Sequence, residues 1–222
     1  MKSFFTCLLL LLSLSAFTQN KRPQIEFCPL CLIDELTFPT IQGGFEFRLT
    51  EKFGWYNEIG LKYRKGYYED ADTSFIGSKG FKVKSEIRYY IHTKQPAKNA
   101  YIAINGFYNN DTHNAAIEYY HNNDSTKSLV DNFGVKKSVA GANLLIGTKK
   151  KLGNKFALDL YAGLGVRFVN IAATHKEFDK KSDQLRLPID VTVAGTRARV
   201  DATGKTDNIG NLALGIRLTY SL

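Results

Sequence analysis

Apolar and polar positions alternate one for one through the last twelve residues of the chain, Asn211 to Leu222. Leu212, Leu214, Ile216, Leu218, Tyr220 and Leu222 form one row, and Ala213, Gly215, Arg217, Thr219 and Ser221 the other. A period of two over that length predicts a β-strand with one apolar face. Residues 156 to 170 repeat the pattern: Phe156, Leu158, Leu160, Ala162, Leu164, Val166 and Phe168 oppose Ala157, Asp159, Tyr161, Gly163, Gly165 and Arg167. Upstream, Phe45, Phe47 and Leu49 oppose Gly44, Glu46 and Arg48. Trp55, Ile59, Leu61 and Tyr63 oppose Tyr56, Glu58, Gly60, Lys62 and Arg64. In residues 81 to 92, Phe81, Val83, Ile87, Tyr89 and Ile91 oppose Lys82, Lys84, Glu86, Arg88 and Tyr90. Residues 100 to 108 and 138 to 149 also read as strands, with Ser138, Ala140, Ala142, Leu144 and Ile146 as the outward row of the second.

The direction of the apolar faces follows from the chemistry of the polar ones. A face turned to water would be hydrophilic throughout, whereas here glycines 44, 60, 163, 165 and 215 are mixed with charges of both signs. Small residues and opposed charges suit the packed inside of a narrow barrel. The apolar rows end in aromatics such as Trp55, Tyr63, Tyr89, Phe168 and Tyr220, which suits interfacial girdles around a lipid-facing band. The reading is an all-β, eight-stranded, antiparallel up-and-down transmembrane barrel. Glu46, Glu58, Glu86 and Asp159 would neutralise Arg48, Lys62, Arg88, Arg167 and Arg217 as a packed ion-pair interior.

Loop lengths supply the topology. The connections at Thr50 to Phe53, Thr93 to Asn99 and Lys150 to Asn154 are short; those at Gly66 to Lys79, Asn109 to Val135 and Ala172 to Asp207 are long. Short turns belong on the periplasmic side and long loops outside. With both termini periplasmic, one ascending strand must precede residues 40 to 49, and residues 24 to 33 are expected to form it. That strand would carry Cys28 and Cys31 on opposite faces, where they neither clip a metal nor pair with each other. Against this stands Pro29, which removes a ladder hydrogen bond and leaves a redox or disulfide-bonded C-x-x-C open.

The N-terminus sets the compartment. Residues 1 to 19, MKSFFTCLLLLLSLSAFTQ, place Lys2 before an apolar run and small residues after it, which predicts a secretory signal. The run is short of the roughly 20 residues of a spanning helix. Residues 20 to 222 are then one domain, the barrel. Twelve Tyr, fifteen Phe and eighteen Gly against one Met favour strand over helix. The net charge of +9 in an exported chain points to anionic surfaces, with no nucleic acid partner.

Three stretches resemble the small outer-membrane β-barrel proteins common in Bacteroidetes, including a family of unknown function. They are PLCLIDELTFPTIQGGFEFRLTEKFGW, EIRYYIHTKQPAKNAYIAINGFY and GTKKKLGNKFALDLYAGLGVRF. The resemblance implies an eight-stranded barrel in the outer membrane and carries no catalytic residue. The chain departs from many outer-membrane proteins in ending on Leu222 rather than Phe or Trp.

Little in the sequence points to catalysis. A lipid-modifying enzyme at the outer rim would need His, Ser and an acid together. Ser85 and His92 lie on opposite rows of one strand, while His113, His121 and His175 fall in long loops. No enzyme activity, cofactor or metal is expected. Arg64, Lys65, Lys79, Lys82, Lys84, Lys136 and Lys137 lie near the outer strand ends and are candidates for lipopolysaccharide phosphates. The expected function is structural or interactive. Partners would be lipid, lipopolysaccharide, the outer-membrane assembly machinery and a protein at the long loops, where HNAAIEYY (113 to 120) and QLRLPIDVTVAGTRARV (184 to 200) read as further strands. The alternatives are a lipid-modifying outer-membrane enzyme and an exported soluble barrel with a small apolar ligand.

Overall fold

The computed structural model describes residues 23–33, 38–63, 78–91, 99–124, 126–179, 181–185 and 205–222. The expected signal segment, Arg64, Lys65, His92 and most of the strand-like text at 184 to 200 lie outside them. The described chain is all-β: β1 (Gln24–Phe27), β2 (Thr40–Arg48), β3 (Phe53–Lys62), β4 (Lys79–Ile91), β5 (Asn99–Tyr120), β6 (Ser128–Lys151), β7 (Phe156–Thr174), β8 (Gln184–Leu185) and β9 (Lys205–Ser221). Neighbours in sequence pair antiparallel from β1 through to β7, β7 pairs with β9, and β9 returns to β1, so the sheet closes on itself. Closure removes the sheet edges at the height where β1 lies between β9 and β2.

The sheet has nine strands rather than the expected eight. The extra one, β8, is two residues long and pairs with Tyr119 and Tyr120 above the end of β4. The alternation that marks a full strand is absent from so short a piece.

Face assignments follow the period-two pattern. In β9, Leu212 and Leu214 are about two-thirds exposed, at 66% and 67%, while Arg217 and Thr219 on the other parity are fully buried. The row from Ala140 to Ile146 on even positions of β6 is outward, as expected. Tight turns join the strands at one end. Between β2 and β3 the Thr50 hydroxyl accepts from the backbone N–H of Lys52 (3.2 Å) and Phe53 (2.9 Å), closing a short connection.

The first strand needs correction. β1 stops at Phe27, and Pro29–Ile33 is a 3-10 turn in which Cys31 N–H donates to the Cys28 carbonyl at 3.3 Å. That turn folds the chain back, brings the two Cα atoms to 5.5 Å, and joins Cys28 to Cys31 in a disulfide. The two thiols do not lie on opposite faces, because the strand that would separate them ends at Phe27. Pro29 supplies the reason: with no N–H and a fixed φ it suits a turn better than a ladder. Both cysteines should therefore resist alkylation in the non-reduced, denatured protein and react only after a reductant is added. Equal labelling of both thiols before reduction would refute the disulfide.

The long loop expected from Asn109 to Val135 is also mostly strand. β5 and β6 stay paired out to Tyr120 and Ser128. The strand-like text at 113 to 120 is thus part of β5, and β6 and β7 rise beside it.

Candidate functional site

Period-two geometry sends the even positions of β2, β3 and β4 and the odd positions of β5, β6, β7 and β9 into the ring. Where these rows meet at mid-height they form one ion-pair network. Arg88, fully buried, reaches Glu46 at 2.7 Å, Glu86 at 2.9 Å, Glu26 at 3.1 Å and Asp159 at 3.3 Å. Arg217, equally buried, reaches Glu86 at 2.6 Å, Glu58 at 3.1 Å and Asp159 at 3.6 Å. Lys149 sits 2.5 Å from both Glu26 and Glu46, Lys84 2.7 Å from Glu58, and Arg48 3.2 Å from Glu46. Five acids (Glu26, Glu46, Glu58, Glu86, Asp159) thus meet five bases (Arg48, Lys84, Arg88, Lys149, Arg217), and the formal charge of the network is zero. Neutrality matters because an uncompensated charge buried there would cost several kcal/mol.

Tyrosines complete the lining. Tyr56, Tyr90 and Tyr101 donate their hydroxyls to Glu58 (2.5 Å), Glu46 (2.6 Å) and Asp159 (2.8 Å). Their rings carry the cations: Arg88 lies 4.2 Å from the centre of Tyr56, Arg217 lies 4.0 Å from that of Tyr161, and Arg48 stacks on Tyr90. Arg48, Arg88 and Arg217 therefore each have a carboxylate within ion-pair distance and an aromatic ring beside them.

Glu46, Arg48, Glu58, Glu86, Arg88, Asp159 and Arg217 are brought together in this network. Lys62 and Arg167 stand apart from it. Lys62 lies nearer the end with the long connections, 2.7 Å from Asp111, and also hydrogen-bonds the Ser78 hydroxyl. Ser78 donates to the same Asp111 oxygen at 3.1 Å, and His113 Nδ1 is 3.3 Å from the other. This gathers Ser, Lys, Asp and His, which the sequence had scattered: His113, expected in a loop, is on β5. Asp111 is the hub of the group, and Ser78, Asp111 and His113 are all buried.

The basic residues expected at the outer rim divide. Lys79 and Lys136 are exposed. Lys82 is buried and donates to the Phe38 carbonyl at 2.7 Å, with its ammonium over the Phe38 ring. Lys84 belongs to the central network, and Lys137 is half-buried opposite Asp111. Lys82 and Lys84 are therefore interior residues, as the parity of β4 requires. Glu26 and Lys149 were missed by sequence reasoning. Each shares the parity of an inward row, but β1 is too short to show a row, and Lys149 reads as part of the basic turn text TKKK.

The outside of the ring is apolar. Exposed Ile41, Ile59, Ile87, Ile104, Leu144, Leu164 and Leu214 form a belt over β2 through β9. Aromatics border the belt toward the short turns, where Phe53 packs on Tyr89 (5.3 Å between ring centres) and Phe156 on Tyr220 (5.2 Å). At the other border Phe81 packs on Tyr108 at 5.8 Å, with Tyr63 and Phe168 in the same row.

Past that border the chemistry of the two faces exchanges. Outward positions become Asn110, Thr112, Ser138, Asn170 and Thr174, and Asn110 donates to the Ser138 hydroxyl at 3.1 Å. Inward positions become Ile117, Tyr119, Phe133, Val135, Val169 and Ile171, which bury Phe178 among them. The Asp131 carboxylate fixes Phe178 by accepting the backbone N–H of Glu177 (2.8 Å) and Phe178 (2.9 Å). His121 closes the same region on Asp183 at 3.0 Å.

No protein family, curated protein or solved structure matches this chain.

Proposed function

We propose that this protein is an outer-membrane β-barrel that crosses the bilayer with the long strands β2 to β7 and β9, the short β1 closing the ring, with both termini periplasmic. One observation carries the reading: the molecule is inside out over its middle and right side out above. A ring with buried Arg, Glu and Asp and exposed Ile and Leu is stable only where the surroundings are less polar than the interior. The exchange of faces at Asn110, Ser138 and Asn170 supports a return to water at that height. Phe156 and Phe168, in opposite girdles of β7, are twelve residues apart, about 40 Å along a strand, or about 30 Å across a bilayer at a tilt of about 40°.

The polar network is the packing of the barrel and not a pore. Ten paired charges and their tyrosines occupy a lumen that eight strands leave only wide enough for side chains. The protein's role is structural or interactive and non-catalytic, exercised through the water-exposed extension of β5, β6 and β7. Lys79 and Lys136 suit lipopolysaccharide phosphates, and the assembly machinery of the outer membrane would be its folding partner. Phe178 and its apolar neighbours make the extension a rigid platform for a protein contact.

Fractionation tests this directly. The chain should sediment with outer membranes, require detergent for extraction, and run at a different apparent mass on gels before and after boiling. Recovery in the periplasmic supernatant without detergent would sink the proposal and favour a soluble barrel.

A further inference from the structure

Two faults interrupt the apolar rows on the outside of the ring. On β3 the outward row runs Phe53, Trp55, Asn57, Ile59 and Leu61, and on β4 it runs Phe81, Val83, Ser85, Ile87 and Tyr89. Asn57 and Ser85 break the two rows, and the ladder sets them directly opposite each other. Ser85 is exposed and accepts the Trp55 indole N–H at 3.0 Å. Asn57 is half-buried, and its Nδ2 has no hydrogen-bond partner among the described residues. Ser85 lies four residues from Phe81 of the outer girdle and four from Tyr89 of the inner one. That is about 13 Å along a strand each way, or about 10 Å of depth at a tilt of about 40°. Acyl chains at such a depth offer a polar side chain no hydrogen bond.

The same ladder row continues to Gly106 on β5, the register partner of Ser85. Inward glycines are accounted for by their neighbours: a Cβ at Gly60, Gly147 or Gly215 would run into Gln42, Tyr101 or Tyr161. A Cβ at Gly106 would meet nothing within 4 Å, and Gly106 is not among the residues of positive φ. Neither the packed interior nor the backbone conformation requires a glycine there. What remains is close approach from outside, a common reason for glycine within a strand. The far side of the ring has no such break: the outward rows from Leu158 to Val166 on β7 and from Leu212 to Leu218 on β9 are apolar throughout.

Resting on the membrane reading above, we infer that the outer face of β3, β4 and β5 is the interface of a homodimer within the bilayer. Its two-fold axis runs along the bilayer normal between β3 and β4, so that Asn57 of each copy meets Ser85 of the other. A second copy is the occupant because that axis sets every residue at the depth of its counterpart. Each mid-bilayer polar group then finds polar groups at its own level, whereas a different protein would need one of its own there. Amide and hydroxyl each both donate and accept, and the Asn57 amide turns about a broad, two-fold χ2 to present either end. Gly106 lets the facing barrel approach closely.

The test is oxidative cross-linking of the purified full chain in phosphatidylcholine vesicles, read as dimer on a non-reducing gel. Ile87→Cys places a thiol beside the axis and Leu164→Cys one on the far side of the ring, both at exposed positions. Ile87→Cys should give at least fivefold more dimer than Leu164→Cys. Adding Asn57→Leu or Gly106→Phe to Ile87→Cys should lower the dimer yield at least fivefold. Both variants should keep the heat-modifiable folded band, because each only adds apolar surface toward lipid. Equal yields from Ile87→Cys and Leu164→Cys, or a yield unmoved by Asn57→Leu or by Gly106→Phe, would overturn the inference and leave the membrane reading intact. So would cross-linking of Ile87→Cys in native membranes to a different protein in place of its own copy. A wild-type chain that does not enter the vesicles would overturn both.

Discussion

Arg88→Ala should prevent stable assembly, lowering the unfolding free energy in detergent or vesicles by about 3–5 kcal/mol. The substitution removes one guanidinium and strands the carboxylates it faces, Glu26, Glu46, Glu86 and Asp159. Lys149 and Arg217 share those acids but lie on other strands and are already engaged. A charge left without its partner costs more than the pair contributes, because desolvation is no longer offset. Glu46→Gln added to Arg88→Ala should recover part of the loss by removing one orphaned charge. The control is Lys79→Ala, an exposed change expected to stay within about 0.5 kcal/mol. Similar unfolding midpoints for Arg88→Ala and Lys79→Ala in a urea titration would show that the network is not what holds the interior.

Leu214→Arg should also impair assembly, by about 2–4 kcal/mol if Leu214 lies near the bilayer midplane. Leu214 is 67% exposed in the apolar belt and pairs across the ladder with Ala162, which offers a guanidinium no polar side chain. Ala213→Ser, one residue away, places a small hydroxyl on the inward face close to the polar lining and should be mild. A heat-modifiability gel separates the two: the Ser variant should keep the folded band and the Arg variant should lose most of it. Equal tolerance of both would mean that the faces are reversed. Neither result depends on what the outer extension binds.

The strands of the lower ring were legible because alternation is local. Each side chain in a strand points opposite to its neighbours, so Leu212 and Arg217 could be assigned to different faces from spacing alone. The ends of the strands were not legible. β5 and β6 continue well past the point where their pattern changes, because there the same parity serves an apolar inside and a polar outside, and a reader expecting one scheme takes the change for a loop. Lys82 and Lys84 show a related limit. Parity put them inward and their position near the strand end suggested a rim; the depth of Phe38 over Lys82 and of Glu58 beside Lys84 decides for the inside.

By itself, then, the sequence determined the strand character of β2, β3, β4, β7, β9 and the lower parts of β5 and β6, and for most of these which row is apolar and that the opposite row is charged, since all of these depend on residues one or two apart. Only the tertiary structure decided which charges meet. Lys149 and Glu26 are separated by 123 positions, and Arg217 and Glu58 by 159, and no local rule links them before the ring closes. It also decided that Cys28 and Cys31 are joined. A C-x-x-C pairs when the chain turns between its two ends and stays apart when the chain runs straight, and that choice rested on where β2 and β9 allow β1 to stop.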